Sequence, residues 1–298
     1  MEVIFEMKKI ALVLGGGAAK GYAHIGVIKA LEEWGLYPDV LIGTSMGALI
    51  AGFYSAGFTP AEMEKIAKEM DVRKMAKVFG ISLSSQGFVS LEGVEEYLRS
   101  YLGYVKIQAL KRKFVATAVD ITNNQALFFD RGDLVKAILM SISIPFVFVP
   151  ISADRIIVDG GVLDNVPVRA LSLLDENYFS IAVNVVPTVK HTVRLADSDE
   201  IPVKEKLNLI EKITKKRPEA AFREQAMGFI SYIVRVSQMM ISEINMRRIE
   251  EYRSDIYFDV DSGIDSQDFH KAEIAIEAGY KRAQEMKGQI LTKLGTEG

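Results

Sequence analysis

Between residues 40 and 54 the chain passes from a buried strand to a helix through five residues with almost no linker. Val40-Leu41-Ile42 is an apolar run, Gly43-Thr44-Ser45-Met46-Gly47 is the turn, and Ala48-Leu49-Ile50-Ala51-Gly52-Phe53-Tyr54 follows as a packed helix. Gly-x-Ser-x-Gly at a strand-to-helix junction is the nucleophile elbow, in which the serine holds a strained backbone conformation. Gly43 and Gly47 remove Cβ atoms that would collide where strand and helix come close. The helix also points its positive end at Ser45, where an anion would develop. A serine in an ordinary small-residue turn satisfies the same five letters, so the motif needs company.

A second loop supplies some. Ile10-Ala11-Leu12-Val13-Leu14 is a β-forming apolar run that ends in Gly15-Gly16-Gly17-Ala18-Ala19-Lys20-Gly21. A helical pattern then begins, with Ile25, Val27, Ile28, Leu31 and Trp34 apolar and Lys29, Glu32 and Glu33 charged. A glycine turn between a strand and a helix N-terminus directs several backbone N–H groups at one point and suits a negative oxygen. Lys20 is followed by Gly21-Tyr22, not by Ser or Thr, so the loop is not of the Walker type, and no register gives the dinucleotide fingerprint. Asp39 does stand where a ribose-binding acid would. A nucleotide-binding module, without catalysis, therefore stays open as an alternative.

The third motif is Ile156-Ile157-Val158-Asp159-Gly160-Gly161, an apolar strand that ends in an acid and is released by two glycines. An acid at the end of a core strand can reach a neighbouring strand's active loop. An Asp that only caps a turn is the simpler alternative.

With these three motifs in this order, the chain resembles the patatin-like phospholipases, in their bacterial branch. The glycine-rich loop, Ala23-His24-Ile25-Gly26-Val27, the Gly-Thr-Ser-Met-Gly elbow and Asp-Gly-Gly all match. So do Ser143-Ile144-Pro145, Val158 to Pro167 with its Asp164-Asn165-Val166-Pro167 end, and Ala278-Gly279-Tyr280. The match covers nearly the whole chain and is best over residues 9–170. It implies a Ser–Asp dyad without histidine, with Ser45 as nucleophile and Asp159 as base. It puts the oxyanion hole on the backbone N–H groups of Gly16, Gly17 and Ala18. It makes Lys20 a loop-orienting cation and Gly43, Gly47 and Gly161 the motif glycines. Where the family usually keeps glycine, this chain has Ala18. Alanine keeps the N–H but resists positive φ, so a positive φ there would strain or reshape the hole, with activity expected to survive.

The histidines agree with a dyad. His191 lies in a polar stretch, His270 in a helical pattern beginning near Asp268, and His24 in the first turn after the glycine loop. All three read as surface or helix-terminus residues, not as a catalytic base. The implied reaction is attack of Ser45 on a lipid ester, with Asp159 moving the proton. That describes a serine acyl hydrolase of the phospholipase A, lysophospholipase or esterase type. A lipid acyltransferase with the same acyl-enzyme is the alternative within enzymes.

Composition sets the outer bounds. With 298 residues, 25% of them charged and a formal charge of −3, the chain suits a globular α/β domain and has no general attraction to nucleic acid. There is no cysteine, which excludes disulfides and thiolate chemistry, and no metal-ligand motif, so no cofactor or metal is expected. Lys8-Lys9 before Ile10–Ala19 has the outline of a short signal peptide, but Glu2 and Glu6 precede it and the same residues make a better strand and loop. No apolar run reaches the ~20 residues of a membrane span. A cytoplasmic protein is expected, with transient contact at a membrane surface and a lipid or ester as its partner; nothing speaks to oligomeric state.

Strands are expected at 10–14, 40–43, 114–118, 156–159, 179–185 and 255–260. Helices are expected at 22–34, 46–56, 60–70, 91–102, 133–141, 167–174, 224–250 and 268–293. This alternation predicts one α/β domain over 1–298, with a mainly parallel central sheet flanked by helices on both faces. Residues 186–225 break the rhythm. They are polar, with Lys204, Lys206, Lys212, Lys215, Lys216 and Arg217, and suit either a solvated insertion or a flap against anionic headgroups. Met227 to Met246 reads as a core-packing helix, with an acyl-channel lid as the alternative. The loop 78–90 is placed at the cleft rim.

Overall fold

The computed structural model describes residues 8–70, 91–145, 147–148, 154–186, 236 and 239–295. The expectations for 78–90, for 187–225 and for the first part of 224–250 fall outside these residues, as does His191.

The centre is a seven-stranded sheet. Its strands are β1 (Ile10–Leu14), β2 (Val40–Thr44), β3 (Lys113–Asp120), β4 (Gln125–Phe129), β5 (Ile157–Asp159), β6 (Phe179–Asn184) and β7 (Ile256–Asp259). Their order is β4-β3-β2-β1-β6-β7, with β5 paired to β3 off this path. The pairs β1–β2, β1–β6, β2–β3 and β6–β7 are parallel, while β4 and β5 each run antiparallel to β3. The central strands β1, β2 and β6 are buried along their whole length, which fits their mainly apolar spelling. β4 was not expected. It is half-exposed, lies at the sheet edge and has no apolar alternation to announce it.

Side chains alternate across the sheet, so β1 sends Ile10, Leu12 and Leu14 to one core and Ala11 and Val13 to another. The larger core is covered by α1 (Ala23–Glu33), α2 (Met46–Ser55), α3 (Pro60–Lys68), α4 (Glu92–Leu102), α5 (Leu134–Ser141) and the long α7 (Ala272–Leu294). The opposite face is covered by the 3-10 segment Val168–Leu173 and by α6 (239–252), through Ile249 and Tyr252. Fully burying each such Leu, Ile or Val contributes about 1.5–3 kcal/mol. The expected helix at 167–174 is thus a 3-10 turn.

Two details hold the frame. α3 begins at Pro60 behind a capping box in which Thr59 and Glu62 satisfy each other's backbone N–H groups. α1 and α7 cross at backbone distance. A Cβ on Gly26 would lie 1.9 Å from the Ile276 carbonyl oxygen, and one on Gly279 would lie 1.9 Å from that of Ala23. Among the described residues no helix is long and apolar enough to cross a membrane.

Candidate active site

Ser45 stands between β2 and α2 with φ 55° and ψ −123°, the strained turn that the elbow demands. The flanking glycines are needed for space. A Cβ on Gly43 would meet the Ala48 nitrogen at 2.4 Å, and one on Gly47 the Leu14 carbonyl oxygen at 2.1 Å. The Ser45 N–H is donated to Ser141 Oγ at 2.9 Å, so the last residue of α5 anchors the turn.

Asp159 ends β5, lines the same cavity as Ser45 and is near enough for the serine hydroxyl to act on its carboxyl. Its Oδ1 accepts the Gly161 N–H at 2.7 Å, and its own N–H is held by the Ser143 carbonyl at 2.8 Å. The short stretch at the end of α5 therefore supports both residues, Ser45 through Ser141 and Asp159 through Ser143. Burial pushes the Asp159 carboxyl up to about 6, while the nearby Ser45 hydroxyl and the Gly161 N–H pull it back down. A carboxylate raised in this way is a far better proton acceptor than an exposed one.

The glycine loop lies opposite. Gly15 N–H bonds Val183, and Gly16 N–H bonds the Asn165 carbonyl at 3.0 Å. Gly16 therefore has no N–H left for an oxyanion, which corrects the expectation for that residue. Among the described residues, Gly17 and Ala18 N–H have no acceptor and remain the loop's candidate donors. Ala18 sits at φ 49°, so the condition under which its methyl is costly is met. Lys20 closes the following 3-10 turn through its N–H to the Gly17 carbonyl at 3.1 Å, and its half-buried side chain lines the cavity.

His24 is not a surface residue. It is fully buried, and its Nε2 lies 2.7 Å from the Gly15 carbonyl oxygen, where a protonated Nε2 donates and holds the loop's first peptide. Burial lowers its pKa to about 4, so the ring is neutral at ordinary pH. His270 is exposed, in the 3-10 turn Phe269–Lys271.

Ser45 and Asp159 open into a cavity of about 1040 Å³. Phe53, Met63, Ile66, Val94 and Leu98, from α2, α3 and α4, make one apolar wall. Met239 and Asn245 of α6 line it as well, while Met240 on the same helix is 61% exposed. The 239–246 stretch is therefore partly a cavity wall, where a plain core helix was expected. Sequence reasoning missed Ser141, Asn165 and Asn245. Asn165 lies within a stretch that matched the family, but nothing local marks the other two.

The family model for patatin-like phospholipases matches residues 12–172, more than half of the chain. An uncharacterised NTE family protein of Mycobacterium tuberculosis is 36% identical over 178 residues, which cover 59% of this chain and 49% of that protein. A lysophospholipase NTE1 of Scheffersomyces stipitis is 27% identical over 186 residues, 61% of this chain and 12% of that protein. The chain thus spans half or less of the length of these relatives. Among solved structures, the heterodimeric ExoU–SpcU complex from the type III secretion system of Pseudomonas aeruginosa matches at 16% identity and a TM-score of 0.49, covering 96% of this chain and 52% of that one. With its three motifs gathered around one cavity and this match over residues 12–172, the chain belongs to the patatin-like phospholipase family.

Proposed function

We propose that the protein is a serine acyl hydrolase that cleaves carboxylic ester bonds of lipids, as a phospholipase A, lysophospholipase or esterase. The observation that carries this reading is the meeting of a strained Ser45 and a buried Asp159 at the foot of one large apolar cavity. Family membership and a relative named as a lysophospholipase support the substrate class.

Ser45 Oγ attacks the ester carbonyl while Asp159 takes its proton. The carbonyl oxygen becomes an anion, which the N–H groups of Gly17 and Ala18 and the N-terminal end of α2 stabilise. Each such donor is typically worth about 10²–10³ in rate. The intermediate collapses, the C–O bond to the alcohol breaks, and Asp159 returns the proton to the departing oxygen. Water then attacks the acyl-serine, Asp159 accepts a water proton, and the released serine oxygen recovers it. Gly43, Gly47 and Gly161 give the backbone room for this geometry, and Lys20 orients the loop. The wall of Phe53, Met63, Ile66, Val94 and Leu98 suits an acyl chain. Met239 and the exposed Met240 suit contact with a lipid aggregate.

A panel of lipid classes with mass-spectrometric detection of released fatty acid tests the substrate, run with and without an added alcohol acceptor. A fluorophosphonate probe tests the chemistry and is expected to label Ser45. Failure to label, with no fatty acid released, would overturn the proposal.

A further inference from the structure

A glycine-rich loop has no side chains of its own with which to hold its peptides still. Here the restraint comes from residues 164–166, which run from the turn after Asp159 across the other two motifs. The Asp164 carbonyl accepts a bond from Thr44 Oγ1 at 2.9 Å, next to Ser45. The Asn165 carbonyl accepts the Gly16 N–H at 3.0 Å, and the Asn165 side-chain amide donates to the Gly16 carbonyl at 3.3 Å. Both polar groups of Gly16 are therefore tied to one residue, and its peptide planes cannot turn without breaking both bonds. A Cβ on Gly15 would lie 2.9 Å from a Val166 methyl, so Val166 also backs the loop.

The strap is itself anchored. Val166 is fully buried, and its N–H is donated to Asn245 Oδ1 at 2.9 Å. Asn245 is 4% exposed, lies on α6 and lines the same cavity as Ser45. It stands outside the 12–172 family match. Without Asn245 that N–H would be a buried donor with no partner, a cost that favours rearrangement of the strap.

We infer that Asn165 and Asn245 are positioning residues: Asn245 fixes the 164–166 strap, and the strap, through Asn165, fixes Gly16 so that the N–H groups of Gly17 and Ala18 face the ester. This rests on the hydrolase reading. It makes the geometry of the oxyanion loop depend on a helix distant in the chain.

The test is steady-state hydrolysis of short- and long-chain p-nitrophenyl esters by the full-length protein, Asn165→Ala, Asn245→Ala and the double variant, together with the rate of fluorophosphonate labelling. A displaced oxyanion loop lowers kcat by about 10–100-fold in each single variant. KM stays within about twofold, because the lost interaction is made only in the transition state. The fold-loss is the same for both chain lengths, labelling slows in parallel, and the double variant is no worse than the poorer single one, because both act through one strap. An Asn245→Ala variant with kcat unchanged overturns the inference. So do losses that multiply in the double variant, or a rise in KM alone, which would make Asn245 a substrate contact. If Asn245→Ala does not fold, Asn165→Ala decides: slowed labelling supports the strap, and an unchanged labelling rate overturns it. A wild-type protein that neither hydrolyses esters nor labels overturns the hydrolase reading, whereas an active wild type with unaffected variants overturns only this one.

Discussion

Thr44 and Asp159 occupy consecutive rungs beside one strand: Thr44 pairs with Thr117 of β3, and Asp159 with Ala118. β2 runs up to this point parallel to β3, and β5 runs down to it from the opposite end. The two strands finish head to head along a single lane of the sheet. Ser45 leaves the end of one, and Asp159 is the end of the other. The ladder of β3 thus fixes the separation of the proposed nucleophile and base, as rigidly as any part of the sheet. Threonine hydroxyls tighten the junction. Thr44 and Thr117 Oγ1 atoms lie 2.6 Å apart, and because Thr44 donates onward to Asp164, Thr117 donates to Thr44.

Ser45→Ala is expected to abolish both fatty-acid release and fluorophosphonate labelling. Ser45→Gly should be equally inactive yet more stable, by about 1–3 kcal/mol, because glycine tolerates the positive φ that serine is forced to adopt. Urea denaturation measures the gain. A Ser45→Gly protein less stable than the wild type would mean that the turn is not strained.

Asp159→Asn should nearly abolish turnover and also stabilise the fold at alkaline pH. Burial raises the folded-state pKa to about 6, above the usual carboxylate value of 3.8. The folded protein therefore keeps a proton that the unfolded chain has released. The stability this provides is complete below about pH 4 and is lost as pH rises through 6. At pH 8 the variant should be the more stable by about 1–3 kcal/mol, and near pH 3.5 the gap should close. Paired melting curves at the two pH values check this, and full esterase activity in the variant would refute the assigned base.

For the wild type, kcat/KM should rise between pH 5 and 7 with a midpoint near 6, then stay level. Ionised Asp159 is the active form, and His24, neutral above about pH 4, adds no further step. A midpoint at the ordinary carboxylate value would contradict the buried setting of Asp159.

Ala18→Gly should raise stability by about 1 kcal/mol, since the residue sits at φ 49° and glycine pays little there. The backbone N–H survives the change, so kcat should stay within about threefold of the wild type. A loss of two orders of magnitude would show that the methyl itself shapes the hole.

Gly279→Ala tests the frame instead of the chemistry. Its Cβ would fall 1.9 Å from the Ala23 carbonyl oxygen, so α1 and α7 must separate. A loss of about 1–3 kcal/mol or more is expected in denaturant melts, with kcat per folded molecule unchanged.

Much of this was legible along the chain because buried parallel strands and tight glycine turns have strong local spellings. The runs at 10–14, 40–43 and 179–185 agree with β1, β2 and β6 to within a residue. β4 escaped because a half-exposed edge strand needs no apolar alternation. His24 stands in the first turn of α1 as its position suggested, but its full burial comes from packing that no short window contains.

Residue chemistry and spacing marked Ser45, Asp159 and the glycine loop as candidates, since a strained elbow, a strand-end acid and a cradle of amides each require particular residues at particular offsets, and the family resemblance of the three motifs in order gave them their expected roles. Three matters belonged to the folded chain alone. β5 meets β2 end to end, Gly16 spends its N–H on Asn165, and Ser141, Asn165 and Asn245 do the holding. A serine or asparagine that works by donating or accepting one hydrogen bond carries no local mark, because its partner is chosen by the packing of distant segments.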